Sequence, residues 1–237
     1  MADMHNGEGT IKEITLLDGS TAARILCPSN LIPMPGQYLL AHAHASDAPL
    51  PVPIFSAESD ADSFLAVPPL PLAWTPGTRL HLRGPLGHGF TLPLTARRVA
   101  LVAWENFSAR LSPLMITASK QEAAVTLVSD NHPDDLSLQV EVQPLSALED
   151  VIKWADYIAV DVGRESLPGC KERLGISQQD NGRVGSGKYI PNEIQVLISA
   201  PMPCGGVAEC GVCGVRVKHD WKMICKDGPV FALKDLE

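Results

Sequence analysis

Basic charge is scarce in this 237-residue sequence: 19 Lys and Arg stand against 27 Asp and Glu, for a formal net charge of −8. Lys and Arg nowhere cluster, so the electrostatic footprint of a nucleic-acid or anionic-membrane partner is missing. No apolar run reaches the length of a membrane span. The start, Met1-Ala-Asp-Met-His-Asn-Gly-Glu8, lacks the basic and apolar regions of a secretory signal. The expectation is therefore a cytoplasmic protein that binds neither nucleic acid nor membrane. No carboxylate pair and no Ser/His/Asp set has a local signature, so no catalytic residue is assigned. A second close Cys-x-x-Cys pair, the usual mark of a zinc ribbon, is also missing.

What is present is a set of cysteines. Two of the six, Cys27 and Cys170, stand alone and read as small buried apolar residues. The other four, Cys204, Cys210, Cys213 and Cys225, are spaced C-x5-C-x2-C-x11-C near the end of the chain. In a reducing compartment such thiols are metal ligands more often than disulfides. Thiolates are soft donors that suit an iron–sulfur cluster or zinc. One close pair preceded by a ligand on a glycine-rich loop is similar to the plant-type [2Fe–2S] spacing. Gly205, Gly206, Gly211 and Gly214 would let that loop turn tightly around a cluster. Zinc and unligated thiols remain the alternatives on spacing alone. Trp221 and Met223, between the third and fourth cysteines, are expected to shield the site as core.

With 45% apolar and 19% charged residues, the chain can bury a sizeable core. Residues 9–95 read as short strands: Thr10–Leu16, Thr21–Cys27, Tyr38–His44, Phe64–Val67 and Arg79–Arg83, with a turn at Asp18-Gly19. The proline-rich Ala48–Phe55 suits an extended edge segment. Short strands between Pro/Gly turns predict a barrel or sandwich. From residue 95 the pattern changes. Continuous apolar runs at Val99–Ala103, Ala123–Ser129, Tyr157–Asp161 and Glu193–Ser199 read as buried strands, with helices over Phe107–Ser119 and Ala147–Trp154. That alternation predicts a parallel α/β sheet. The expected units are a β-barrel over residues 1–94, an α/β domain over 95–199 and a small cysteine unit over 200–237.

The sequence Met202-Pro-Cys204-Gly…Cys210-Gly-Val-Cys213…Cys225-Lys-Asp-Gly228-Pro-Val-Phe231 resembles the cluster domain of the dihydroorotate dehydrogenase electron-transfer subunits. The resemblance implies a ferredoxin-reductase-like barrel for flavin, a Rossmann-like nicotinamide domain and a [2Fe–2S] domain in that order. It also implies Cys204, Cys210, Cys213 and Cys225 as the iron ligands. Five residues separate the first two cysteines where the family has four. Gly84-Pro-Leu-Gly-His-Gly-Phe90 is similar to the family loop that ends the barrel, and Pro35-Gly-Gln-Tyr38 to a strand start. By that resemblance FAD would be bordered by Pro53, Ile54, Phe55 and Ser56 and by Gly84, Pro85, Leu86, Gly87, His88 and Gly89. In the family a partner subunit oxidises dihydroorotate, so a partner oxidoreductase is implied, with self-association left open.

The departures from that family are specific. Its flavin-binding Arg falls at Val52 here, which leaves FAD open. Its glycine-rich nicotinamide turn is replaced by Trp104-Glu-Asn-Phe-Ser-Ala-Arg-Leu-Ser-Pro113, and its later Cys-Gly-Pro element by Asp161-Val-Gly163. Without those glycines the backbone loses its close approach to dinucleotide phosphates, so NAD(P) binding is not expected. Two other readings stay in view: a non-redox structural paralogue holding a structural metal, and a complete NAD(P)H-dependent flavin reductase. Gly182–Tyr189 nearly spells a phosphate-binding loop, but no apolar strand precedes it and Tyr189 replaces the Ser or Thr. His42 and His44 alternate on one strand and are expected as surface or barrel-lining residues. Asp60, Asp62, Asp134 and Asp135 are expected as solvated acids.

Overall fold

The computed structural model describes residues 5–17, 20–67, 69–105, 109–131, 136, 139–175 and 193–237. The Asp18-Gly19 turn, Phe107, Asp134, Asp135 and the 178–188 loop with its near phosphate-binding motif lie outside the described residues.

Six strands close into an antiparallel barrel: β1 (His5–Leu17), β2 (Ser20–Leu26), β3 (Tyr38–Ala43), β4 (Val52–Ser59), β5 (Ser63–Val67) and β6 (Arg79–Leu86), in the order β1-β2-β5-β4-β3-β6. Alternation along each strand sends one set of side chains inward. Ile11, Ile25, Leu39, Ile54, Phe64, Leu80 and Leu82 form that interior, each at 2% exposure or less. Burying each stabilises the fold by roughly 1.5–3 kcal/mol before chain entropy is counted. The proline-rich segment departs from expectation. It becomes β4, an internal strand between β5 and β3, because closure leaves the barrel no edge. Val52 packs against the barrel interior, so β4 turns Pro53 and Phe55 to the outer face.

The second layer is a six-stranded sheet. Its strands are β7 (Arg98–Ala103), β8 (Ala124–Val128), β9 (Val140–Gln143), β10 (Tyr157–Gly163), β11 (Glu193–Ser199) and, after the cysteine segment, β14 (Val230–Ala232). The order is β14-β11-β10-β7-β8-β9, parallel from β11 to β9 with β14 antiparallel at the edge. The described helices α1 (Ser112–Lys120), α2 (Leu148–Trp154) and α3 (Leu167–Arg173) flank it. Pro113 sits in the first turn of α1, where its missing N–H costs nothing. The sheet core is one continuous cluster with Tyr38, Leu40 and Phe55 of the barrel wall. Cys27 and Cys170 are buried as expected, and burial pushes their thiols up to about 11 and about 12.

The last 38 residues add a hairpin, β12 (Gly214–Val217) with β13 (Asp220–Met223), and the short helix α4 (Ile224–Asp227). They are not a separate body, because β14 completes the sheet and the preceding residues lie on the barrel. No helix among the described residues is long and apolar enough to cross a membrane.

Candidate metal centre

The cysteine segment is held against the barrel by polar contacts from its outer wall. Tyr38 donates its hydroxyl to the Cys225 carbonyl at 2.6 Å, and Arg83 donates to the Gly205 carbonyl at 2.7 Å. Gly206 is in the left-handed region at φ +75, and a Cβ there would lie 3.1 Å from Leu40 Cδ1 and 3.2 Å from Tyr38 Oη. Glycine thus lets the loop approach the wall closely. The loop's Gly205 carbonyl is taken by Arg83, and the Cys225 carbonyl of α4 by Tyr38.

Backbone N–H groups of the loop converge on sulfur. Burial pushes the Cys204 thiol up, but hydrogen bonds from Cys210 and from the backbone N–H groups of Cys210, Ala208 and Glu209 outweigh it, and the thiol is held down at about 6. Cys204 is therefore the ligand most readily ionised. Cys225 is the opposite case: burial, a hydrogen bond with Cys213 and the nearby Cys213 and Cys204 charges push it up to about 12. Cys213 and Cys225 are buried, Cys204 is half-buried and Cys210 is exposed. The thiols lie close enough to act on one another, Cys204 with Cys210 and Cys225 with both Cys213 and Cys204. No three of the four sulfurs lie within 4.8 Å of one another. All four expected ligands are thus brought together, and the donor set suits an iron–sulfur cluster.

Trp221 does not shield the site. It is 66% exposed, and of the two only Met223 packs against the core. Val207 and Val212, beside the ligands, are also exposed.

The residues expected around flavin fall into two groups. Gly84–Gly89 forms a loop clamped on both sides. Gln37 donates to the Gly87 carbonyl, Phe90 N–H donates to Pro35, and His88 N–H donates to Gly228. Gly87 sits at φ +76, and a Cβ there would lie 2.3 Å from the Gly228 carbonyl. The two stretches with the most specific sequence resemblance therefore buttress each other. On β4, Phe55 is buried beneath Arg110, whose guanidinium lies 5.6 Å from the ring centroid, with Tyr38 5.9 Å away. Ser56 spends its hydroxyl on Glu58 and Ser59. The 3-10 turn at Ala109–Leu111 and α1 pack on this strand. The outer face of β4 is covered by protein in this conformation.

Sequence reasoning missed Arg110 and Asp161. The sheet order reverses between β7 and β10, and ligands of open α/β sheets bind at the carboxyl ends of such strands. There Arg110 Nε meets Asp161 Oδ2 at 2.7 Å, with the two side chains 11% and 1% exposed. Burial raises the Asp161 carboxyl against the opposing pull of Arg110. Trp104 N–H donates to the Asp161 carbonyl and Gly163 N–H to the Glu105 carboxylate. The partners are 51 residues apart in the chain, and no local motif marks them.

Comparison with known proteins agrees with this geometry. Residues 200–237 match the family model for the iron–sulfur cluster binding domain of dihydroorotate dehydrogenase B. The gamma subunit of sulfhydrogenase 1 from Pyrococcus furiosus is 46% identical over 48 residues, 20% of this chain and 16% of that one. The electron transfer subunit of dihydroorotate dehydrogenase B (NAD(+)) from Desulforamulus reducens is 27% identical over 172 residues, 66% of this chain and 64% of that one. The chain thus spans less than two thirds of each of these relatives. A solved NADH-dependent reduced ferredoxin–NADP oxidoreductase, studied for flavin-based electron bifurcation, superposes with a TM-score of 0.73 at 18% identity, covering 97% of this chain and 89% of the other. By its barrel and its sheet this chain has a ferredoxin-reductase-like fold, and its last 38 residues match the iron–sulfur cluster binding domain of dihydroorotate dehydrogenase B.

Proposed function

We propose that this chain is the electron-transfer subunit of a larger oxidoreductase, carrying single electrons through a [2Fe–2S] cluster on Cys204, Cys210, Cys213 and Cys225. The observation that carries this reading is the match of residues 200–237, with all four cysteines inside it, to an iron–sulfur cluster binding domain. Bound there, the cluster would supply one-electron redox chemistry and no proton transfer. The chain's own residues hold the thiols in place: Arg83 and Tyr38 anchor the loop, and the N–H groups of Ala208, Glu209 and Cys210 stabilise thiolate charge at Cys204. Exposed Cys210, with Val207 and Val212 beside it, offers a short path to a partner. A catalytic dihydroorotate dehydrogenase subunit is the partner that the Desulforamulus relative supports, which would put the chain in cytoplasmic pyrimidine biosynthesis.

In this reading the nicotinamide crevice is filled by Arg110, Asp161 and Glu105, and electrons neither enter from NAD(P)H nor pass through flavin. A second reading has FAD in an opened crevice; the retained Gly84–Gly89 loop and the flavoprotein fold of the ferredoxin–NADP oxidoreductase neighbour favour it. Purification without oxygen, with iron, sulfide, zinc and flavin quantified beside visible and EPR spectra, separates the two. The expected result is two irons and two sulfides per chain, little flavin, and a cluster reduced by dithionite but not by NADH or NADPH. One zinc and no sulfide per chain overturns the cluster. One flavin per chain selects the second reading.

A further inference from the structure

A second set of metal-ligating side chains stands on the barrel wall, on strands the cysteine site does not use for ligands. Antiparallel register puts Glu8 of β1 opposite His81 of β6, and His81 opposite His42 of β3. His44, one residue past β3, joins this group through its N–H to the Arg79 carbonyl of β6. The His44 and His81 rings stack with centroids 3.7 Å apart at 14°. Glu8 Oε1 lies 3.7 Å from His44 Nε2. One ligand atom from each of Glu8, His44 and His81 lies within 4.8 Å of the others. Arg79 donates to the other Glu8 oxygen at 2.5 Å, which orients the carboxylate and leaves Oε1 turned to the histidines. A cavity of about 380 Å³, lined in part by Glu8, His42 and His81, leaves room for water to complete a coordination shell.

We propose that Glu8, His44 and His81 bind one divalent transition-metal ion of the zinc, nickel and copper class, independently of the cysteines. Two imidazoles and a carboxylate are borderline donors that suit these ions, whereas magnesium and calcium call for oxygen shells. Tetrahedral donors on zinc sit roughly 3.3 Å apart, from bonds of about 2.0–2.1 Å. Side-chain rotation covers the difference. Glu8 and His81 are held on adjacent strands of a closed barrel, and His44, in the turn just after β3, is tied to β6 by its N–H to the Arg79 carbonyl. The local sequence shows only His42 and His44; pairing of β6 with β1 and β3 supplies the rest.

The test is zinc titration of the full, cluster-loaded chain by calorimetry, with iron counted before and after and zinc X-ray absorption on the complex. One zinc per chain with only nitrogen and oxygen neighbours, and unchanged iron, is the expected result. The H44A/H81A double variant should weaken binding by at least tenfold, since losing even second-shell support costs about 10–100-fold. E8Q should weaken it less, and H219A, at an exposed distant histidine, should not change it. Should the double variant fail to fold, H44Q and H81Q singly give the same reading. Sulfur in the zinc shell, equal affinity in the variants, or no binding at micromolar zinc overturns the proposal.

Discussion

The cysteine loop and the crevice at the carboxyl ends of β7 and β10 are both places where a protein of this build can hold a redox group, and they have opposite polar economies. At the crevice the polar groups are turned on one another: Glu105 takes the Gly163 N–H, Asp161 takes Trp104 N–H through its carbonyl, and its carboxylate meets Arg110. At the cysteine site the Gly205 and Cys225 carbonyls are anchored to Arg83 and Tyr38 while three N–H groups gather on the Cys204 sulfur. Binding capacity follows from that difference. A site whose donors are spent internally must break its own bonds before it can bind; a site whose scaffold is satisfied from behind presents its donors at no such cost.

The largest effect should come from the loop. Cys225→Ser removes one of the two buried thiols among the four candidate ligands. Iron and sulfide in the purified protein should fall to background, and the melting temperature should drop more than for any change below; retention of both would remove Cys225 from the ligand set.

At the crevice, Arg110→Ala leaves Asp161 buried and unpaired. Breaking a buried pair from one side typically costs about 3–5 kcal/mol, whereas replacing both partners by apolar residues is often neutral. Urea denaturation of R110A should show the loss, and R110L/D161L should recover most of it. The comparison breaks if R110A is silent. It sharpens if R110A alone begins to retain flavin.

Tyr38→Phe tests how the loop is anchored. It removes the donor to a buried carbonyl, at a cost of about 1–3 kcal/mol. Iron content should hold while stability drops, since Arg83 still grips Gly205.

The smallest effect is electrostatic and lies away from both sites. Asp156 is held below the usual carboxylate range chiefly by the Arg98 side chain, with the N–H groups of Arg97 and Arg98 helping to outweigh the opposing effect of burial. Its folded value lies below its unfolded one, so its contribution is complete above the ordinary carboxylate range and is lost as pH falls through the folded value. The pair is partly exposed and screened, so that contribution is under about 1 kcal/mol. Asp156→Asn should flatten the acid side of the stability profile by that small amount and leave neutral iron content alone.

Much of the architecture was legible because it is local. Alternation over Thr10–Leu16 and Tyr38–His44 matches β1 and β3, and the apolar runs at Val99 and Tyr157 match β7 and β10. Errors arose where tertiary closure overrode local signals. Pro53 argued for an edge, yet the barrel encloses β4. Trp221 looked like a shield because it is large and apolar, but it is 66% exposed. The short helix α3 escaped notice because Pro168 and Gly169 sit inside it.

By itself, the sequence determined the four thiols, the glycines that let their loop turn, and the order of barrel, sheet and cysteine unit. Each of those depends on residues within a few positions of one another. Tertiary structure decided which thiols are buried, that Arg110 reaches Asp161 across 51 residues, and that Glu8, His44 and His81 come together. The reason is physical: a loop's chemistry follows from its local covalent geometry, whereas strand register and burial depend on which distant segments the core brings together.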